Sequence, residues 1–94
     1  MGAGLRDAKT SALFKSRDIE LIRLVLQAGR SLPPHAVPGE ITIHCLEGRL
    51  RIDIDAGVQE LAAGELLYLE GGARHGVVAC EDSCALVTIA LRAL

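Results

Sequence analysis

The stretch LPPHAVPGEITIHCLEGRL, residues 32–50, decides how the chain should be interpreted. It holds His35 and His44, two of the three histidines, and two clusters of proline and glycine that lead into an alternating segment. Such clusters mark strand ends, because proline cannot donate to a strand ladder and glycine permits tight turns. His35, Glu40 and His44 have three interpretations: a metal site, the remains of one, or ordinary residues of a small barrel.

Short apolar segments surround this stretch, and glycine or proline interrupts them every 8 to 12 residues or so, a spacing typical of an all-β sandwich or barrel. No segment keeps the apolar periodicity of a helix over three turns. We expect Pro33 and Pro34 to close off the first strand. Seven strands are predicted: DIELIRLVLQAG (18–29), EITIHCLEG (40–48), RLRIDID (49–55), VQELAAG (58–64), ELLYLEGG (65–72), RHGVVAC (74–80) and CALVTIALRAL (84–94).

The third of these segments shows the clearest strand pattern. Leu50, Ile52 and Ile54 alternate with charged residues, which predicts one buried face and one face in water. The strand is followed by the residues DAGV (55–58), where Gly57 suits a tight hairpin turn. Glycines at 64, 71 and 72 mark two further corners.

Length and charge limit the classes of protein to consider. Ninety-four residues support one domain with one core. We divide the chain into an N-terminal segment, residues 1–17, extended or disordered, and a barrel over residues 18–94. The net charge of −2 comes from 10 basic and 12 acidic residues that are scattered, so we expect no nucleic-acid partner.

The chain has neither the apolar core of a signal peptide nor a run approaching the roughly 18 apolar residues of a membrane span. We therefore expect a cytoplasmic protein with no membrane partner. Three cysteines, an odd number, favour free thiols in a reducing compartment. Cys80 and Cys84 flank EDS, but they lack the second pair of a zinc motif and are interpreted as small buried side chains.

Two segments have apolar residues on both faces. In IELIRLVL (19–26) and in the last segment, the surplus apolar surface exceeds what one core requires. A second copy of the chain would cover it, which predicts a homodimer formed through the terminal strands. The alternative is that the N-terminal seventeen residues fold over this face at one of the two strands.

The histidine-bearing stretch resembles the first motif of the cupin superfamily. That motif runs from a glycine through two histidines separated by one residue to a glutamate and a closing glycine. Gly29 stands at or near its start, His35 at the second histidine, Glu40 at the glutamate and Gly48 at its end, one residue late. Pro33 occupies the position of the first histidine, so the pattern is broken there.

The second cupin motif is matched by GELLYLEGGARH. Gly64, Gly72 and His75 fit its spacing, while Glu70 stands where a proline is usual. The two motifs together cover most of residues 18 to 92. The resemblance implies an antiparallel jelly-roll β-barrel, a minimal single-domain cupin similar to small members of unassigned activity.

The resemblance also implies a metal site. In the metal-dependent cupins that this chain resembles, three histidines and one glutamate hold iron, manganese, zinc or nickel. By alignment this chain keeps His35, Glu40 and His75, a two-histidine-one-carboxylate set that suits a divalent ion. His44 lies on the same strand face as Glu40, so an inward Glu40 would place His44 inside the barrel, at the pocket floor.

Three functions stay open at this point. The first is a binding module for a small organic ligand, for example a carboxylate or a sugar, held in the barrel by ligand-contacting residues. The candidates are His35, His44, Tyr68, Arg74 and His75. The second is a metal-dependent enzyme of dioxygenase or isomerase type that uses His35, Glu40 and His75. The third is a structural protein whose side chains fill the barrel. No catalytic residue is assigned, because fold does not fix chemistry.

Overall fold

The computed structural model describes residues 9–91. Nine strands and no helix occur in this part of the chain. No helix there could therefore span a membrane. The strands are β1 (Ser11–Lys15), β2 (Ile19–Leu26), β3 (Ser31–His35), β4 (Ile41–Glu47), β5 (Arg49–Ile54), β6 (Gly57–Ala62), β7 (Leu66–Leu69), β8 (His75–Ala79) and β9 (Ser83–Ala90).

The strands form two antiparallel sheets. The five-stranded sheet has the order β1-β2-β9-β4-β7, and the four-stranded sheet has the order β3-β8-β5-β6. Neighbours in the sheets are mostly distant in the chain, since β2 pairs with β9 and β3 with β8. This arrangement is a jelly-roll barrel and confirms the predicted all-β class.

Strand β3 corrects one prediction. Pro33 and Pro34 were expected to end the strand before them, but they lie inside β3, which pairs with β8. Proline is tolerated there because β3 is the edge of its sheet, and the register also shifts between Leu32 and His35. A residue on an edge strand has no neighbour on one side that requires its backbone N–H.

Strand β1 comes from the N-terminal segment of residues 1–17. It pairs with β2 at the edge of the five-stranded sheet, with Phe14 opposite Leu21. The hydroxyl of Thr10 accepts a hydrogen bond from the backbone N–H of Val25 at 2.9 Å. Strand β1 therefore widens the five-stranded sheet by one strand at its edge.

The core lies between the two sheets. On β4 the residues Ile41, Ile43 and Cys45 are at most 4% exposed, and on β5 Leu50 and Ile52 are at most 1% exposed. The predicted buried face of β5 is thereby confirmed, with Ile54 packed against the same cluster. Leu24, Leu61, Leu69, Val77, Ala79 and Ala85 complete the buried cluster.

The turn between β4 and β5 depends on Gly48. Its φ is 84°, a left-handed conformation, and a Cβ atom there would collide with the carbonyl oxygen of Asp82 and the hydroxyl of Ser83. The Ser83 hydroxyl accepts a hydrogen bond from the N–H of Arg49 at 3.0 Å. This hydrogen bond and the close approach at Gly48 hold the turn between β4 and β5 against the turn between β8 and β9. The corners predicted further along have positive φ as well: Gly57, Gly64 and Gly72.

Truncation of a core side chain tests this packing. Ile52 is 0% exposed, so Ile52→Ala should lower the free energy of unfolding by about 2–5 kcal/mol. Val58 lies on the neighbouring strand and is 56% exposed, so Val58→Ala should change it by about 0.5 kcal/mol or less. Urea unfolding followed by circular dichroism measures both. Equal effects of the two substitutions would contradict the assignment of the inner face.

Thiol reactivity provides an independent test. Cys45 and Cys84 are fully buried, while Cys80 is exposed. Burial raises the pKa of the Cys45 thiol, which further lowers the amount of reactive thiolate. A chromogenic disulfide reagent should therefore titrate one cysteine in the native protein and all three after unfolding in urea. Two rapidly reacting thiols in the native protein would contradict this packing.

Candidate functional site

Two of the candidate histidines lie side by side at one end of the barrel. His35 on β3 is the register partner of His75 on β8, and their ring centroids are 4.6 Å apart with a tilt of 49° between the planes. His75 is 4% exposed and His35 is open to solvent. His35 and His75 are therefore neighbours in space, and we refer to them as the histidine pair.

Backbone carbonyls orient both rings of the histidine pair. Nδ1 of His35 lies 3.3 Å from the carbonyl oxygen of Pro33, and Nδ1 of His75 lies 3.1 Å from that of Ala73. In a neutral ring this contact assigns the proton to Nδ1, which donates to the carbonyl. Nε2 then carries the lone pair. Each neutral ring thus has one nitrogen suited to accept a hydrogen bond or to bind a metal.

The loops next to the histidine pair are held together by backbone contacts. The N–H of Gly72 donates to the carbonyl of Val37 at 2.8 Å, which joins the loop before β4 to the loop between β7 and β8. Gly71 permits this approach, because a Cβ atom there would collide with the carbonyl oxygen of Pro38. The two loops that follow His35 and precede His75 therefore keep one relative position.

Glu40 does not join the histidine pair. It comes directly before Ile41, which points into the core, so the alternation of the strand directs Glu40 to the outer face of the five-stranded sheet. There its carboxylate accepts a hydrogen bond from the hydroxyl of Tyr68 at 2.5 Å. Tyr68 is 55% exposed and lies opposite Thr42 on the same outer face.

His44 takes a position other than the expected one. Its neighbours Ile43 and Cys45 are buried in the core, so His44 points away from the barrel interior. It lies between its register partners Leu66 and Leu86 on the outer face of the five-stranded sheet. The placement of His44 at the pocket floor is wrong, because Ile41, Ile43 and Cys45 face the opposite sheet and His44 alternates with them.

A cleft begins at residues next to His75: Arg74, which precedes His75 in the chain, and Ile54, its register partner, both line the cleft, while neither histidine does. The cleft has a volume of about 600 Å³, within the range of small-molecule sites. Ile54, the register partner of His75, lines one wall of it together with the turn that follows β5. The opposite wall comes from the end of β7 and the next loop, including Leu69 and Arg74. The lining combines apolar residues such as Ile54 and Leu69 with the charged residues Asp55, Glu70 and Arg74, so the cleft offers an organic molecule both kinds of contact.

Of the sequence-predicted ligand candidates, Arg74 and Tyr68 both line this cleft. Sequence reasoning missed the contribution of the turn after β5, where Asp55 and Ala56 lie, and that of Glu70. The glycine corners marked both loops as turns, but no local signal showed that the two turns face each other. That juxtaposition depends on the pairing of β5 with β8.

Comparison with known proteins agrees with this architecture. The family model of the cupin domain matches residues 22–91, about three quarters of the chain.

The chain belongs to the cupin family.

Several solved structures superpose well on this chain. An RmlC-like cupin protein from Desulfovibrio desulfuricans is 31% identical with a TM-score of 0.79, over 86% of this chain and 79% of that one. A conserved protein of unknown function from Streptococcus pyogenes is 22% identical with a TM-score of 0.83, over 90% and 75%. KdgF from Halomonas sp. is 18% identical with a TM-score of 0.81, over 88% and 79%. No match is found among curated proteins.

The metal ligands that the cupin resemblance implies are not gathered at one point. Within residues 9–91 no three side chains of the types His, Cys, Asp and Glu lie close enough together to hold a metal ion. The first histidine position of the motif is Pro33, and the glutamate position, Glu40, lies on the outer face of the sheet. The histidine pair alone supplies two imidazoles, which does not fit the full cupin donor set.

Cys45 is adjacent to His44 in sequence, but the two side chains lie on opposite faces of β4. Burial raises the pKa of the Cys45 thiol, and the nearby Cys84 and Glu65 act in the same direction. A buried thiol that stays protonated is a poor nucleophile. This cupin therefore has no cysteine–histidine pair on β4 that could support covalent catalysis.

The hydrogen bond between Tyr68 and Glu40 can be tested by titration. It raises the pKa of the Tyr68 phenol, because ionisation would lose the bond, and the charges of Glu40 and Glu70 add to the effect. Tyr68 is the sole tyrosine and the chain has no tryptophan, so ultraviolet absorbance reports this group alone. Its midpoint should lie above the ordinary value of about 10.

Glu40→Gln should lower that midpoint toward the ordinary value, because the substitution removes the negative charge next to the phenol. Glu60→Gln serves as the matched control, since Glu60 lies on the four-stranded sheet beside Arg49. It should leave the midpoint unchanged. Titration of Tyr68 at the ordinary value in the unaltered protein would contradict the outward position of Glu40.

Proposed function

We propose that this cupin binds a small organic anion that also donates hydrogen bonds, at the histidine pair and the cleft beside it. One observation carries the proposal: His35 and His75 lie 4.6 Å apart with both Nδ1 atoms directed to carbonyls, next to a cleft of about 600 Å³. Two oriented imidazoles next to a cleft that has both apolar and charged lining residues form a polar contact region beside a partly hydrophobic wall, a composition found in ligand sites.

The residues of the site indicate the chemical class of the ligand. Of the charged residues that line the cleft, Asp55, Glu70 and Arg74, only Arg74 suits a carboxylate, which its guanidinium can bind through two parallel hydrogen bonds. The Nε2 atoms of the histidine pair, as acceptors, favour hydroxyl or amide donors. Ile54 and Leu69 supply an apolar surface. A compact hydroxy acid combines these features, since it carries a carboxylate, at least one hydroxyl and a short carbon skeleton.

The proposal concerns binding and assigns no reaction. The metal-dependent alternative requires Glu40 as a third ligand beside His35 and His75. Glu40 instead accepts the Tyr68 hydrogen bond on the outer face of the sheet. The filled-barrel alternative is supported by the apolar row on β4, which occupies the space between the sheets. The cleft beside the histidine pair nevertheless leaves room for a ligand at the rim.

Thermal unfolding in the presence of glycolate, lactate, malate and gluconate tests the proposal. At a tenfold excess over its Kd, a ligand adds about 1.4 kcal/mol to the free energy of unfolding. For a domain of this size that raises Tm by roughly 6–11 °C. His35→Ala and Arg74→Ala alter exposed residues and should each remove most of that rise.

Arg51→Ala is the matched control, because Arg51 is an exposed arginine on the outer face of the four-stranded sheet. Its side chain forms an ion pair with Asp53. The substitution should leave the ligand-induced rise intact. A rise that persists in both His35→Ala and Arg74→Ala would contradict this site. Elemental analysis addresses the metal-dependent alternative: stoichiometric metal that is lost in His35→Ala and in Glu40→Gln alike would favour that alternative.

A further inference from the structure

Tyr68 gives the cleft an exposed aromatic wall. Phe14 and Tyr68 are the only phenylalanine and tyrosine in the sequence, which has no tryptophan, and of these two aromatic residues Tyr68 lines the cleft. Tyr68 is 55% exposed. A large aromatic side chain that is half open to water at a concave site leaves ring surface that a bound molecule can cover.

Glu40 holds the Tyr68 side chain from outside the cleft. Its carboxylate accepts the hydrogen bond of the Tyr68 hydroxyl, yet Glu40 does not itself line the cleft. The phenol proton is therefore committed to a group outside the site. What Tyr68 offers to a bound molecule is its ring, and a ring that is already held in one position loses little freedom when a ligand binds.

The chemistry changes along the run of residues 68–74, which line the cleft without a gap. Arg74 ends this run and carries its positive charge. At the other end the hydrogen bond to Glu40 raises the pKa of the Tyr68 phenol, and the charge of Glu70 acts in the same direction. Because negative charges surround Tyr68, an anionic group of a ligand is disfavoured there and a neutral group is favoured.

The size of the cleft exceeds what a compact hydroxy acid requires. Its volume of about 600 Å³ is in the range that holds drug-sized ligands. An acid as small as lactate, with its carboxylate on Arg74, fills only a fraction of that space. Ile54 and Leu69 also line the cleft, so the remaining space suits an apolar substituent.

We propose that the cleft contains a subsite for an aromatic ring of the ligand, with Tyr68 as the specificity-determining residue and Glu40 as its positioning residue. This inference rests on the proposed function, because it concerns the same ligand whose carboxylate is assigned to Arg74. A neutral ring packs against Tyr68 in an offset or edge-to-face arrangement. The ligand class is thereby narrowed from hydroxy acids in general to hydroxy acids that carry an aryl group.

Calorimetric titration with mandelate and with lactate tests the subsite, because the two acids differ only in a phenyl group that replaces a methyl group. The unaltered protein should bind mandelate about tenfold more tightly than lactate or better, since the phenyl group buries more apolar area and contacts the Tyr68 ring. Tyr68→Ala should reduce this preference to about threefold or less. Phe14→Ala is the matched control, because Phe14 is an equally exposed aromatic residue on the opposite edge strand of the same sheet. It should leave the preference unchanged.

A double-mutant cycle tests the positioning role of Glu40. Glu40→Ala should lower the preference for mandelate about threefold in the protein that has Tyr68, because the ring is no longer held. In the Tyr68→Phe protein, which keeps the ring and lacks the hydroxyl, Glu40→Ala should have no further effect. An equal loss of preference in both proteins would show a merely structural role of Glu40 and would contradict its action through Tyr68.

Circular dichroism establishes that each variant is folded, and Tyr68→Leu replaces Tyr68→Ala if the latter fails to fold. Equal affinity of the unaltered protein for mandelate and lactate would overturn the aromatic subsite and leave the proposed function standing. A protein that binds neither acid would overturn both. A preference for mandelate that survives the substitution of Tyr68, or that falls equally in Phe14→Ala, would also overturn the assignment of the subsite to Tyr68.

Discussion

The two sheets of this barrel are held together by the apolar side chains that β4 and β5 direct between them. Ile41, Ile43 and Cys45 meet the inward residues of the opposite sheet, including Leu50 and Ile52. Because side chains of a regular strand alternate, this row decides the positions of Thr42 and His44, which lie between its members. Both are thereby directed outward, ahead of the register shift between Cys45 and Glu47. Glu40, which precedes Ile41, points outward as well and bonds to Tyr68, so it lies apart from the histidine pair on the other sheet.

Much of the fold was predictable from local patterns. Period-two alternation identified β5, and glycines at the corners separated the strands that follow it. The sequence did not reveal β3, because its prolines are acceptable only at a sheet edge, and edge position is a property of the whole fold. The positions of Glu40 and His44 were misjudged for a related reason: the cupin resemblance implied an inward glutamate, whereas burial of the apolar residues of β4 requires the opposite orientation.

The candidate site was predictable in part. Motif spacing brought His35 and His75 together, although they are forty residues apart in sequence, and β3–β8 pairing places their rings at 4.6 Å. The cleft beside them arises from a turn and a loop that carry no distinctive motif. Its location depends on tertiary pairing. In the proposed function the polar rim binds a small anion, while the interior between the sheets serves as packing.

Nuclear Overhauser contacts of the histidine rings test the central claim most directly, which is the orientation of β4. The account predicts contacts from the His44 ring to the methyl groups of Leu66 and Leu86, and from the His75 ring to His35 and Ile54. Contacts from the His44 ring to Ile52 or to the His75 ring would contradict it, because they would place His44 inside the barrel.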